Sequence, residues 1–184
     1  MAFAYEGTES NGSVDGKLKI YPVNSGHSGV LGPGDLVLIT GDGDAKGRTE
    51  VDIGTANAAN TGVVAFVGVN IAGEALSQTH LSATTAGFVH VNVDGGALYD
   101  VPVSNGPITD AEVGQNAPAI VTAGTVSSNV FTSNMGINAS GIATTSTLPF
   151  RIVERREDSA GVLGNRALVR VNESTSQLGA TGIS

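Results

Sequence analysis

The strongest acidic candidate for chemistry is a glycine-rich segment at 41–47. Its sequence, GDGDAKG, places Asp42 and Asp44 two residues apart and Gly47 at the sixth position, as in the opening of a calcium-binding loop. A calcium loop needs an oxygen ligand at its fifth position, where this chain has Lys46, and a glutamate at its twelfth, which is absent. We therefore interpret 41–47 as a solvated β-turn and predict no metal site there.

The motifs for nucleophilic catalysis are also incomplete. The segment GHSG at 26–29 has part of the Gly-x-Ser-x-Gly elbow of serine hydrolases, but Val30 holds the fifth position and no long helical pattern follows. There is no cysteine, which excludes thiolate metal sites, cysteine nucleophiles and disulfides. Three scattered histidines define neither a metal centre nor a general base: His27, His80 and His90. We predict that the protein is not an enzyme, but a carboxylate pair for glycoside hydrolysis stays open at this point, since Asp and Glu are scattered through the loops.

Composition restricts the class of partner. The chain has 184 residues, the size of one domain or two small ones, and a net charge of −8. A nucleic-acid-binding protein needs a basic face, yet Lys and Arg total nine, five of them within 151–170. No apolar run approaches the 18 or so residues of a membrane-spanning helix. We therefore expect neither nucleic acid nor membrane as a partner.

The elements that must position any site are short strands. Side chains alternate in three segments, so that one face of each is apolar. These faces are Val89, Val91 and Val93; Leu148, Phe150 and Ile152; and Ala167, Val169 and Val171. Further short apolar runs occur at 36–39, 62–71, 97–103, 119–122 and 129–132. The pattern predicts an all-β fold, a small barrel or sandwich with long Gly/Ser/Asn-rich loops and at most short helices.

Two local signals refine this prediction. Asp-Gly-Gly at 94–96 separates the β-rich runs 88–93 and 97–103, which predicts a hairpin joining them. Thr109 and Glu112 have the spacing of a capping box, which predicts one or two helical turns between them.

The domain organisation follows from where these signals occur. We predict an N-terminal arm or edge strand at 1–24 and a single β-rich domain at 25–184, with 104–141 as the place where any internal boundary would fall. The arm has three aromatic residues that could anchor it to a partner, as aromatic side chains commonly do, or pack against its own domain: Phe3, Tyr5 and Tyr21.

The sequence has one dense charge run, ERRED at 154–158. It follows an apolar strand and precedes a Ser-Ala-Gly turn, which favours a polar hairpin tip. The functional alternative is a subunit contact, in which Arg155 and Arg156 meet a carboxylate on a neighbouring molecule.

Four segments carry a resemblance to a known family. They are TSTLPFRIVE at 145–154, ALVRVN at 167–172, ALYDV at 97–101 and ITDAEVGQN at 108–116. Together they resemble the capsid decoration, or cement, proteins of podovirus-like tailed bacteriophages. The resemblance covers roughly residues 97–172, whereas the first 90 residues match only in general character.

The resemblance implies a function without catalysis or cofactor. It implies a β-rich structural protein, made in the host cytoplasm, that binds the outer surface of the mature phage head and cements neighbouring major capsid subunits. The implied partners are the major capsid protein and other copies of the chain, as a dimer or trimer. The alternatives are a carbohydrate-binding, polysaccharide-degrading or head-fibre-type virion surface protein, or a self-assembling surface-layer or fibre subunit. The absence of Trp and the presence of only three Tyr weaken the carbohydrate alternative.

Overall fold

The computed structural model describes residues 4–8, 18–58, 60–67 and 79–172. These residues form an all-β fold, as predicted, and their helical structure is limited to 3-10 turns at Asp110–Glu112 and Ala139–Gly141. No helix among them is both long and apolar enough to cross a membrane. The strands are β1 (Ala4–Thr8), β2 (Leu18–Val23), β3 (Leu36–Gly43), β4 (Thr49–Ile53), β5 (Gly62–Val67), β6 (Gly87–Asn92), β7 (Ala97–Ser104), β8 (Asn116–Ala117), β9 (Ala119–Ile120), β10 (Thr125–Ser127), β11 (Val130–Thr132), β12 (Gly136–Asn138), β13 (Phe150–Glu157) and β14 (Leu163–Val171).

The first half of the chain forms a closed five-stranded barrel. Its strand order is β2-β4-β3-β5-β6, and β2 returns to β6 to close it. All pairs are antiparallel except β2 with β4. The predicted alternation in β6 is confirmed, because Val89 and Val91 are fully buried in the barrel core and Val93 packs against that core.

The second half of the chain forms a separate sheet with the strand order β8-β13-β14-β7-β12-β9. The apolar faces predicted for β13 and β14 are confirmed. Phe150, Ile152, Ala167 and Val169 are at most 1% exposed in the core of this sheet. The barrel and the second sheet therefore have separate apolar cores.

The turn at 94–96 forms, but the predicted hairpin does not. Asp94 accepts the Gly96 N–H on its side chain at 3.0 Å, and the Ala97 N–H on its carbonyl at 3.1 Å. β6 pairs with β2 and β5 in the barrel, whereas β7 pairs with β14, β1 and β12 in the second sheet. Because both edges of each strand are already paired, the turn passes the chain from one sheet to the other. The change of sheet falls here, before the 104–141 segment.

The barrel and the second sheet pack against each other. Leu36 and Val63 belong to barrel strands, yet their side chains contribute to the core of the second sheet. The Leu36 N–H lies 3.1 Å from the Sδ atom of Met135, and the Ala119 N–H donates to the Ala56 carbonyl at 2.8 Å. Apolar burial and hydrogen bonds therefore both link the two sheets.

The predicted arm at 1–24 is not a single element. Residues 18–23 are barrel strand β2, whose last three residues are buried. β1 instead adds antiparallel to β7, which is the edge-strand alternative of the prediction. A strand that closes a barrel cannot reach across to a partner, so any arm would have to lie before Leu18.

A small two-stranded hairpin of β10 and β11 lies against the barrel. Its only partly buried residue is Phe131, whose ring stacks on His80 with centroids 6.4 Å apart. Gly32 and Gly124 approach this ring so closely that a Cβ atom on either one would overlap it. The two glycines thus form the seat into which Phe131 fits.

Candidate functional site

The candidate site is the outer face of strands β13, β14 and β7, opposite the core. Register places Arg151 directly opposite Arg170, and Arg156 directly opposite Arg166. On the neighbouring strand, Asp100 lies opposite Leu168, which in turn lies opposite Glu154. We call this surface the arginine face; it consists of Arg151, Glu154, Arg156, Arg166, Arg170 and Asp100.

A β-bulge determines which charges reach this face. In strict alternation Glu154 and Arg156 would follow Phe150 and Ile152 into the core. The register of β13 shifts between Ile152 and Glu154, which leaves Val153 as an extra residue. The bulge therefore turns Glu154 and Arg156 outward. The same shift turns Arg155 to the side of Ala167, which is buried.

One carboxylate serves two arginines on this face. The Asp100 carboxylate accepts from Arg166 Nε at 3.0 and 3.2 Å, and Arg156 Nη1 lies 3.8 Å from Asp100 Oδ2. The Arg166 and Asp100 side chains are only 15% and 17% exposed, so solvent screens this pair less than it would an exposed pair. Asp100 thereby offsets the repulsion between Arg156 and Arg166.

The two arginines predicted as subunit contacts have carboxylate partners within the chain. Arg155 Nη2 lies 2.5 Å from Asp110 Oδ1, and Arg156 approaches Asp100. Of the charge run 154–158, only Asp158 lies in the predicted hairpin turn, because β13 continues to Glu157. The turn is organised by Asp158, which accepts the N–H groups of Ala160 and Val162 at 2.9 Å each. Asn165 Nδ2 also donates to Asp158 Oδ2, at 2.8 Å. These hydrogen bonds, that from Asn165 most strongly, hold the pKa of Asp158 below its ordinary value.

Arg151 differs from these arginines. It is exposed, and its side chain makes no hydrogen bond or ion pair with any other residue in the described part of the chain. It lines an open groove of about 350 Å³. The remaining lining residues are small or polar: Gly114, Gln115, Asn116, Thr144, Ser146 and Asn172.

Hydrogen bonds from two asparagine side chains that line the groove fix the backbone around it. Asn116 Nδ2 donates to the Thr145 carbonyl at 3.0 Å, and Asn172 Nδ2 donates to the Ser146 and Leu148 carbonyls at 3.0 and 3.1 Å. These bonds tie the segment before β13 to the ends of β8 and β14. The groove is therefore a formed surface before any partner arrives.

The aromatic anchor residues have different placements. Tyr21 is 1% exposed in the barrel core, with Lys19 Nζ 4.8 Å from its ring centroid, so it packs within its own domain and cannot contact a partner. Tyr5 lies in β1 opposite Tyr99 in register. Phe3 lies outside the described residues.

The segments weighed for chemistry have structural roles. Asp44 accepts from the Lys46 N–H at 3.0 Å and from Arg48 Nε at 2.8 Å, and the Arg48 bonds chiefly lower its pKa. His27 is buried, with Nε2 2.9 Å from the Thr85 carbonyl oxygen. Within the described residues, no three His, Asp or Glu side chains lie close enough to hold a metal ion.

Sequence reasoning did not identify the arginine face. It did note that five of nine cationic residues lie within 151–170. Alternation in β14 places Arg166, Leu168 and Arg170 on the face opposite its core residues, and that part could have been found. The outward turn of Arg156 depends on the bulge at Val153, which no residue pattern indicates.

No protein-family model, curated protein or solved structure matches this chain.

Proposed function

We propose that the protein is a structural virion protein that binds the outer surface of a mature phage head and cements neighbouring major capsid subunits. The observation that carries this proposal is the arginine face. It concentrates four arginines against two carboxylates in a chain of net charge −8. Three of the four segments that resemble capsid decoration proteins supply residues of strands β7, β13 and β14 in this sheet, and the fourth, 108–116, ends at strand β8.

A cationic face on an acidic protein favours a particular binding mode. The acidic remainder of the chain repels acidic surfaces in general, whereas the arginine face attracts an acidic patch in one orientation. Such an arrangement gives orientation and selectivity more than raw affinity. We therefore assign the arginine face to the capsid and the rest of the molecule to solvent or to neighbouring copies.

Cementing then follows from linkage. A protein that binds the assembled lattice, and not dissociated subunits, stabilises the lattice by an amount that grows with the logarithm of its free concentration. Contact with more than one subunit adds avidity to each modest contact. This function requires no catalytic group and no cofactor.

Co-sedimentation tests the proposal. Purified protein is mixed with mature shells of the phage that encodes it and, separately, with dissociated capsid protein. We expect saturable binding to mature shells only, weakened by added salt because the contact is between charged groups. Absence of binding to either form would overturn the proposal.

A matched pair of charge variants tests the role of the arginine face. Arg151→Gln and Lys46→Gln each remove one exposed positive charge, the first from the arginine face and the second from the barrel turn at 41–47. We expect Arg151→Gln to weaken shell binding about tenfold, as loss of one hydrogen bond to a charged group does, and Lys46→Gln to leave it unchanged. Equal binding by the two variants would exclude the arginine face as the contact.

A further inference from the structure

The groove beside Arg151 has the features of a site for one carboxylate. We infer that it binds the side chain of a glutamate or aspartate in an acidic peptide segment of the partner. This inference rests on the proposed function only for the identity of the protein that supplies the segment. It assigns the anchoring contact to Arg151, whereas the sequence had pointed to Arg155 and Arg156.

The Arg151 guanidinium differs from those of the other arginines of this face in its partners. Arginine has five N–H donors in a planar fork that matches the two oxygens of a carboxylate. On the arginine face, Arg166 Nε donates to Asp100 at 3.0 Å and Arg156 Nη1 lies 3.8 Å from the same carboxylate. Arg170 also has an interaction of its own. Arg151 has no such partner among the described residues and lines an open groove. It is thus the arginine of this face best placed to receive a carboxylate from outside.

A second positive charge, that of Arg170, lies beside Arg151. Arg151 and Arg170 are directly opposite each other on antiparallel strands, an arrangement in which like charges repel. The next strand contributes an apolar residue, Leu98, at this level of the sheet. A bound anion at Arg151 would reduce this repulsion as Asp100 does for Arg156 and Arg166.

The groove restricts its ligand by size and by lining. Its volume of about 350 Å³ is near the lower limit of the roughly 300–1,000 Å³ of small-ligand pockets, enough for one acidic side chain and its flanking backbone. The lining contains two asparagines, a glutamine, a serine and a threonine, which can bond to peptide groups. It contains no aromatic ring on which a sugar could stack. These features favour a peptide over a saccharide.

The test is a titration of the isolated full chain, labelled with ¹⁵N, followed by NMR. The probes are Ac-Gly-Glu-Gly-NH₂, the isosteric Ac-Gly-Gln-Gly-NH₂ and glucuronate. We expect the glutamate peptide to shift amide signals around Asn116, Ser146 and Arg151 in a saturable manner. The glutamine peptide, which lacks the charge, should bind at least tenfold more weakly.

Variants make the test specific to the guanidinium. Arg151→Gln should weaken binding of the glutamate peptide at least tenfold, and Arg151→Lys by an intermediate factor because an ammonium cannot form the bidentate pair. Lys46→Gln, with the same loss of charge at a distant turn, should bind like the natural chain. Unchanged ¹⁵N spectra away from the groove establish that each variant is folded.

Three results would overturn the inference. They are equal binding of the glutamate and glutamine peptides, undiminished binding by Arg151→Gln, and tighter binding of glucuronate than of the glutamate peptide, which would assign the groove to an acidic saccharide. Because no shell is present, the titration is independent of the proposed function. If the glutamate peptide does not bind but the protein binds shells, only the groove as the carboxylate site is rejected. If the glutamate peptide binds but the protein does not bind shells, only the capsid as the partner is rejected.

Discussion

At the scale of single residues, Asp35 is the buried titratable group whose pKa is most altered among the described residues. It is fully buried near the junction of barrel and sheet, and it accepts the Gly32 N–H at 3.0 Å. Burial raises its pKa to about 6, against the opposing effects of the Ser133 side chain and the Gly32 N–H. The folded protein therefore holds this proton more tightly than the unfolded chain does.

This shift predicts a pH-dependent contribution to stability. A raised carboxyl pKa favours folding at low pH, and that contribution is lost as pH rises from about 4 through about 6. Asp35→Asn cannot ionise, so the unfolding free energy of the variant relative to the natural chain should increase by about 2–3 kcal/mol between pH 4 and pH 7. Urea unfolding of both proteins at these two pH values measures the change. A difference in unfolding free energy that stays constant between the two pH values would show that burial does not raise the pKa of Asp35.

A second residue-scale prediction concerns Phe131. Gly124→Ala should destabilise the protein by about 1–3 kcal/mol, because its Cβ would overlap the Phe131 ring. The same substitution in a Phe131→Ala background should cost less, since the ring is gone and only the contact with the Thr132 carbonyl oxygen, at 2.9 Å, remains. Gly96→Ala is the matched control, because its Cβ would meet only Asp94 Oδ1, at 3.5 Å. Thermal unfolding measures the stability of all four variants. An equal loss of stability from Gly124→Ala in both backgrounds would contradict the close packing of Phe131 against Gly124.

At the scale of elements, strands β7, β13 and β14 share the carboxylate of Asp100. Asp100→Asn would leave Arg156 and Arg166 opposite each other without the anion that lies near both. We expect it to lower the unfolding free energy by about 1–3 kcal/mol, as loss of a charged hydrogen-bond partner does.

The control for this prediction is Asp110→Asn. Asp110 also pairs with an arginine, Arg155, but its side chain is 88% exposed, and such pairs contribute about 0–1 kcal/mol. The two variants make the same chemical change, so urea unfolding isolates the effect of position. A cost for Asp110→Asn equal to that for Asp100→Asn would contradict the account of the arginine face.

The elements also show how far sequence reasoning extends. Alternation correctly identified the buried faces of β6, β13 and β14, because a two-residue period directly reports which face is apolar. It failed for the turn at 94–96, since local residues specify a turn but not whether the flanking strands pair with each other. It failed at Val153 as well, because a bulge changes the period without a compositional signal.

At the scale of the whole molecule, the two sheets differ in what they offer a partner. The barrel buries Tyr21 and encloses its own core, whereas the second sheet carries the arginine face and the groove beside Arg151. Arg155 and Arg156, predicted from the sequence as subunit contacts, lie in β13 and have Asp110 and Asp100 close by. The sequence could not show these ion pairs, because they depend on register and on aspartates distant along the chain, and a contact of either arginine with a partner stays a prediction.

If the protein cements a mature shell, as we propose, its binding should raise the temperature at which shells rupture. Mature shells of the phage to which the proposed function assigns the protein are heated with increasing concentrations of the natural chain, Arg151→Gln or Lys46→Gln, and rupture is followed by light scattering. We expect the natural chain and Lys46→Gln to raise the rupture temperature alike, and Arg151→Gln to need about tenfold more protein for the same rise. An unchanged rupture temperature at saturating natural chain would contradict the proposal.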